Sequence, residues 1–206
     1  MKLKSVQRFC SLSPFRISLL SWAFFLLPII LVLLSPFSGL FPALVFHHER
    51  IEVTIEGDII NVEGHYFYRN TWPFRVSQTL SVPLPHGSDE KSPIEPEVIM
   101  VSPESRNIDV RNILGREIFS IMVESGKEAE VVVRYSQAAT QRRGRYLLTT
   151  TKPWGKPLVR GEYTLEFIGA EMVSIESNYP LEKLGNGLWC FRKKDFMPVM
   201  DWEFSW

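Results

Sequence analysis

Histidine is the side chain most readily turned to metal binding or proton transfer near neutral pH, and this chain has four: His47, His48, His65 and His86. His47 and His48 are adjacent, which on a strand aims them at opposite faces. No H-E-x-x-H, no C-x-x-C and no spaced His/Asp cluster accompanies them. Neither a metal nor a cofactor is expected. Nucleophile motifs are missing too, since there is no G-x-S-x-G elbow and no P-loop. A Ser–Lys pair can be distant in sequence and leave no local motif. A membrane-tethered hydrolase is therefore the third reading of this chain, behind two non-catalytic ones, and no catalytic residue is assigned.

Two groups of residues could instead make contacts. Arg142, Arg143 and Arg145 form a basic cluster after Ala138-Ala139-Thr140-Gln141, where a hairpin tip is expected, and Arg192-Lys193-Lys194 forms a second. Such clusters can meet anionic headgroups or an acidic partner. Trp72 and Trp154 lie in Thr71-Trp72-Pro73-Phe74 and Pro153-Trp154-Gly155, which read as loops. A loop tryptophan can stack on a sugar ring or anchor a protein interface, and it can equally cap the open end of a sandwich, the commoner fate of a large aromatic. Trp72, Trp154, Arg142, Arg143 and Arg145 are thus the candidate contacts for a partner or a glycan.

What must hold these residues begins with a membrane segment. Ile17 to Leu34 reads ISLLSWAFFLLPIILVLL without a charge. As a helix it covers ~27 Å, close to the ~30 Å of a bilayer's hydrocarbon core. A transmembrane helix is expected over 17–37, after a tail over 1–16 and before an apolar interfacial linker over 38–46 that carries Gly39 and Pro42. Lys2, Lys4, Arg8 and Arg16 precede the span, whereas the first acidic residue is Glu49. The positive-inside rule then places the N-terminus in the cytoplasm and the C-terminal part outside it. A cleaved signal peptide shares this polarity, but the apolar run is longer than the roughly 7–15-residue apolar core of a typical signal peptide and no A-x-A site follows it.

Residues 47–206 remain for one extracytoplasmic domain. Four of the 23 basic residues and none of the 23 acidic ones precede the span, so that domain carries a net charge of −4. An acidic balance argues against a nucleic-acid partner. Cys10 and Cys190 would be separated by the membrane, and Cys190 in Leu188-Trp189-Cys190-Phe191 reads as a small buried hydrophobe.

Period-two alternation runs through this domain. Ile51, Val53 and Ile55 alternate with polar residues, Gly57-Asp58 marks a turn, and Ile60, Val62, Tyr66 and Tyr68 form the return strand of a hairpin. Further strands are expected over 76–84, 97–101, 107–113, 117–124, 131–135, 145–151, 162–167, 172–177, 188–191 and 201–206. Ser125-Gly126-Lys127 and Gly185-Asn186-Gly187 read as hairpin tips. The fold expected is all-β, an antiparallel sandwich of about ten strands.

The segment Val62-Glu63-Gly64-His65-Tyr66-Phe67-Tyr68-Arg69-Asn70, followed by Leu80-Ser81-Val82-Pro83-Leu84-Pro85, resembles the opening of vault/inter-alpha-trypsin-type β-sandwich domains. Those domains carry an aromatic-rich strand ending in Asn and then a strand closing in Pro-Leu-Pro, and bacterial envelope proteins of uncharacterised function are similar. The resemblance implies an interaction module without catalysis. The function expected is a single-pass membrane-anchored β domain that binds another protein. A carbohydrate- or envelope-polymer-binding module using Trp72 and Trp154 is the alternative.

Overall fold

The computed structural model describes residues 43–85, 96–169 and 174–206. The N-terminal tail, the expected transmembrane helix and His86 lie outside the described residues. Among the described residues, no helix is long and apolar enough to cross a membrane.

The alternation read around Gly57-Asp58 forms the hairpin expected, β1 (Val45–Glu56) against β2 (Ile59–Arg69), with Ile51, Val53 and Ile55 all buried. Twelve more strands follow: β3 (Val76–Ser81), β4 (Glu97–Ser102), β5 (Arg106–Asn107), β6 (Arg111–Ile113), β7 (Arg116–Val123), β8 (Glu128–Ala138), β9 (Arg143–Tyr146), β10 (Leu158–Phe167), β11 (Glu176–Ser177), β12 (Glu182–Gly185), β13 (Leu188–Phe196) and β14 (Trp202–Ser205). Eight of them build one large sheet in the order β12-β13-β10-β1-β2-β8-β4-β5. Two three-stranded sheets accompany it, β11-β14-β9 and β3-β7-β6. The large sheet ends in two open edges and does not close into a barrel.

One face of the large sheet is apolar and carries the core. Tyr66 on β2 meets Tyr146 on β9, and Trp202 on β14 packs edge-on against Tyr163 of β10 and Phe191 of β13. Val76, Leu80, Phe119, Ile121 and Val123 bring β3 and β7 into the same core. Full burial of such side chains contributes ~1.5–3 kcal/mol each, and no disulfide is needed to hold this domain. Cys190 is buried and unpaired, as its surroundings predict.

Several expectations are corrected. The architecture is mostly β, but β1 and β10 run parallel, so the large sheet is mixed and not antiparallel. Alternation reveals that a strand exists and not which way its neighbour runs. Among the described residues fourteen strands stand where about ten were expected, because edge pieces of two to four residues are too short to show a period. The stretch 107–113 divides between β5 and β6 in different sheets, and 145–151 leaves β9 for a 3-10 segment, Leu148–Trp154. Ser125-Gly126-Lys127 is no hairpin tip, since β7 and β8 belong to different sheets. The expected tip at Arg142, Arg143 and Arg145 is no hairpin tip either, since Arg142 ends the turn between β8 and β9, Arg143 and Arg145 lie in β9, and β8 and β9 belong to different sheets.

The linker over 38–46 is corrected in its last residues. Ala43, Leu44 and Phe46 are buried in the core, and β1 begins at Val45. A β-bulge between Phe46 and His48 is the cause. The extra residue reverses the phase of alternation, so Phe46 and Leu44 join Glu49, Ile51 and Val53 on the inner face.

Candidate binding surface

The outer face of the large sheet is polar and ordered. Alternation sends Arg50, Glu52 and Thr54 outward from β1, Asn61, Glu63 and His65 from β2, and Glu130, Arg134 and Ser136 from β8. The register sets Glu52 directly opposite Glu63, and Glu63 opposite Arg134. Facing carboxylates repel, and basic groups on both sides offset this. Arg134 grips Glu63 at two points, Nε to Oε2 at 2.8 Å and Nη2 to Oε1 at 3.3 Å. Arg50 Nε stands 3.2 Å from Glu52 Oε1. The Arg134 guanidinium holds the Glu63 carboxyl below its usual range, against a smaller opposing effect of burial.

His65 occupies the middle of this network. Its Nδ1 lies 2.8 Å from Glu130 Oε1, and its Nε2 lies 3.0 Å from Glu63 Oε1. Arg50 Nη2 sits beside the ring, 3.2 and 3.3 Å from the two nitrogens. Ser136 Oγ donates to Asn61 Oδ1 at 2.6 Å. Between these side chains a shallow groove of about 350 Å³ is lined by Glu52, Thr54, Asn61, Glu63, Arg134 and Ser136. It offers carboxylates, hydroxyls, an amide and a guanidinium to a polar ligand, all on rigid strands.

A second polar cluster lies inside the core. Glu49 is 2% exposed and accepts a 2.5 Å hydrogen bond from the Tyr163 hydroxyl. Burial pushes its carboxyl up to about 7, only partly offset by that bond. The backbone explains the pairing. Gly161 faces Glu49 across the β1–β10 ladder, and the Tyr163 ring folds back over Gly161 until its hydroxyl lies 2.5 Å from where a Cβ would stand. Tyr66 lies over Gly64 in the same way, and its hydroxyl meets that of Tyr146 at 2.7 Å. Burial raises the hydroxyls of Tyr66, Tyr146 and Tyr163 well above their usual value. These groups stay neutral and serve packing. The sequence carried a signal for Glu49 that was missed, since stepping back by two from Ile51 puts it in the apolar phase.

The candidate contacts identified in sequence do not share one surface. Arg142 and Arg143 are exposed at the end of the β1–β2 hairpin that holds its turn, where Ala139 N donates to Asp58 O. Arg145 is engaged with Asp201, Nη2 to Oδ2 at 2.6 Å. That carboxyl also accepts from the Thr149 backbone N and hydroxyl, and these bonds outweigh burial to hold it below its usual value. Trp72 and Trp154 lie at the opposite end of the hairpin. Trp72 is 36% exposed, with its ring 5.6 Å from that of Phe74. Trp154 is half-buried, its ring 5.5 Å from Phe46 and 5.3 Å from Tyr68. The Asn70 that closes the aromatic strand is fully buried; it donates to Phe74 O and Val123 O and accepts from Trp72 N.

His47 is the extra residue of the bulge and His48 follows it. His48 stacks on Phe67, and burial holds both rings below the usual histidine value. Among the described residues no group of three or more His, Cys, Asp or Glu could hold a metal ion.

No protein-family model matches the chain, and no curated protein matches it in sequence. Solved structures do match in fold. A Legionella pneumophila protein provisionally described as nutrient-binding aligns with a TM-score of 0.59 at 11% identity, covering 80% of this chain and 67% of that one. An M1 zinc metallopeptidase from Deinococcus radiodurans aligns with a TM-score of 0.44 at 9% identity, over 79% of this chain and 42% of that one. Yeast LTA4 hydrolase gives 0.49 at 9% identity, over 84% of this chain and 30% of that one. At such identities the first likeness is one of fold alone, and the chain spans less than half of either enzyme.

Proposed function

We propose that this chain is a single-pass, membrane-anchored protein whose extracytoplasmic β-sandwich binds a partner protein through the polar face of its large sheet. The observation that carries the reading is the network on that face: Arg50, Glu52, Glu63, His65, Glu130 and Arg134, held in cross-strand register around an open groove. Charges fixed on strands before binding reduce the ordering cost of association and select the partner by complementary charge. The apolar run Ile17–Leu34 and the basic residues before it support the anchor and its orientation. The two small sheets laid on the apolar face support the sandwich.

Three groups that could do chemistry serve structure instead, in keeping with a binding role. Among the described residues Cys190 is buried, Ser136 faces Asn61, and the Tyr163–Glu49 pair is closed inside the core. A hydroxyl-rich envelope polymer is the second reading, favoured by Thr54, Asn61, Ser136 and the two carboxylates lining the groove. Against it, the groove lining has no aromatic platform turned outward, and Trp154 is occupied with Phe46 and Tyr68.

The test places a photo-reactive amino acid at Ser136, at Glu52 or, away from this face, at Arg142 in the full-length protein in cells. One dominant crosslinked protein, lost on Arg134→Glu, is the expected result. Crosslinks at Arg142 but none at Ser136 or Glu52 would overturn the choice of face. Retained glycan without protein would favour the polymer reading.

A further inference from the structure

The end of the domain where β1 begins combines exposed apolar side chains with lysines, and it is also where the apolar N-terminal segment joins. Val45 pairs with Arg69 at the close of β2, and Asn70 N donates to Lys127 O just before β8. Trp72 and Phe74, 36% and 42% exposed, are tied to this point through Asn70. Trp154 reaches the same end by packing on Phe46 and Tyr68. The parallel β1–β10 pair brings the start of β10 here, and the register of Leu158 with Phe196 brings the end of β13. The loop after β13 presents Val199 and Met200, 73% and 48% exposed, and Lys152 Nζ donates to Val199 O at 3.1 Å. Lys156 is exposed beside Trp154.

We infer that this end lies on an anionic lipid surface, with Trp72, Phe74, Val199 and Met200 entering the interface and Lys152 and Lys156 meeting headgroups. The inference rests on the anchored reading above. Chain connectivity argues for this occupant, because the chain passes from the apolar segment into the domain at this end. Charge argues the same way. Of the acidic residues here, Glu124 and Glu128 face Arg75 and Arg69 and Asp195 is exposed, set against the exposed Lys127, Lys152 and Lys156 that can meet the lipid. Tryptophan is at home at the headgroup level, where its ring is half apolar and half wet. The far end is different: Ile59 and Ile168 are exposed there among Glu56, Asp58 and Glu166 as well as Arg142 and Arg143.

The experiment uses the full chain, Cys10→Ser, reconstituted in nanodiscs containing anionic phospholipid. One cysteine, Val199→Cys or Asp58→Cys, is labelled with a fluorophore, and the lipids carry a quencher on the upper acyl chain. Strong quenching at Val199 with none at Asp58, reduced by Lys152→Glu with Lys156→Glu, is the expected result. A chain that leaves the lipid on alkaline washing would overturn the anchor and this inference together. A chain that stays, with Val199 unquenched or no more quenched than Asp58, would overturn the inference alone. Quenching untouched by the lysine reversal would overturn the anionic surface.

Discussion

Replacing Glu49 with Gln keeps the shape and the acceptor for the Tyr163 hydroxyl but removes the ionisable proton. Raising a carboxyl from 4.5 to about 7 corresponds to ~3 kcal/mol, at ~1.4 kcal/mol per tenfold change in proton affinity. The sign follows from which state holds the proton. The folded core binds it more tightly than the unfolded chain does, so the contribution is fully present below about pH 4.5 and is lost as pH rises through about 7. Other groups titrate as well. His47 and His48, held low by burial, act in the opposite sense, gaining stability as pH rises through the histidine range. Glu63 and Asp201, also held low, act only at more acidic pH, where their contributions are lost as pH falls. The difference between wild type and Glu49→Gln cancels these common effects. Urea unfolding followed by tryptophan fluorescence, in detergent from pH 5 to pH 8, measures that difference. The variant should approach wild type at pH 5 and gain on it by up to ~3 kcal/mol at pH 8. A difference that stays constant across this range would refute the claim that Glu49 is neutral in the folded core.

Three further substitutions test how the backbone serves packing and turn. Gly161→Ala sets a methyl 2.5 Å from the Tyr163 hydroxyl, and that ring, stacked 4.3 Å from Phe191, has nowhere to go. A loss of about 2 kcal/mol is expected from thermal unfolding, with Gly64→Ala behaving alike against Tyr66; an unchanged melting temperature would contradict the geometry. Leu114, 99% exposed at φ 52° before Gly115 at φ 77°, stands in a hairpin turn that favours Asn-Gly. Leu114→Asn should stabilise the domain by about 1 kcal/mol in the same assay, because Asn tolerates the left-handed conformation.

Much of the sheet was legible because one face is buried and the other wet. That asymmetry imposes a period of two, so β1, β2, β8 and β10 could be read from Ile51, Val62, Val131 and Leu165 and their neighbours. The polar face was written in the intervening positions, yet a charged residue at an outward position looks the same whether it is solvated or part of a network. His65 shows the limit: nothing near it in sequence names Glu130, which lies across β8 and becomes its partner only when β2 and β8 pair. Choosing between contact and cap for Trp154 needs the same knowledge, since the neighbours that make it a cap, Phe46 and Tyr68, come from distant strands.

By itself the sequence determined that residues 17–34 form an uncharged apolar run, that the domain after it is mostly β, and which residues alternate. Those are local properties, set by side-chain hydrophobicity and the two-residue repeat of an extended backbone. Strand partners, the parallel β1–β10 pair, the bulge at His47 that turns Phe46 inward, and the burial of Glu49 under Tyr163 were decided only by tertiary structure. Each depends on which segments meet across the sheet, and the free energy of that meeting comes from a shared core rather than from any one strand.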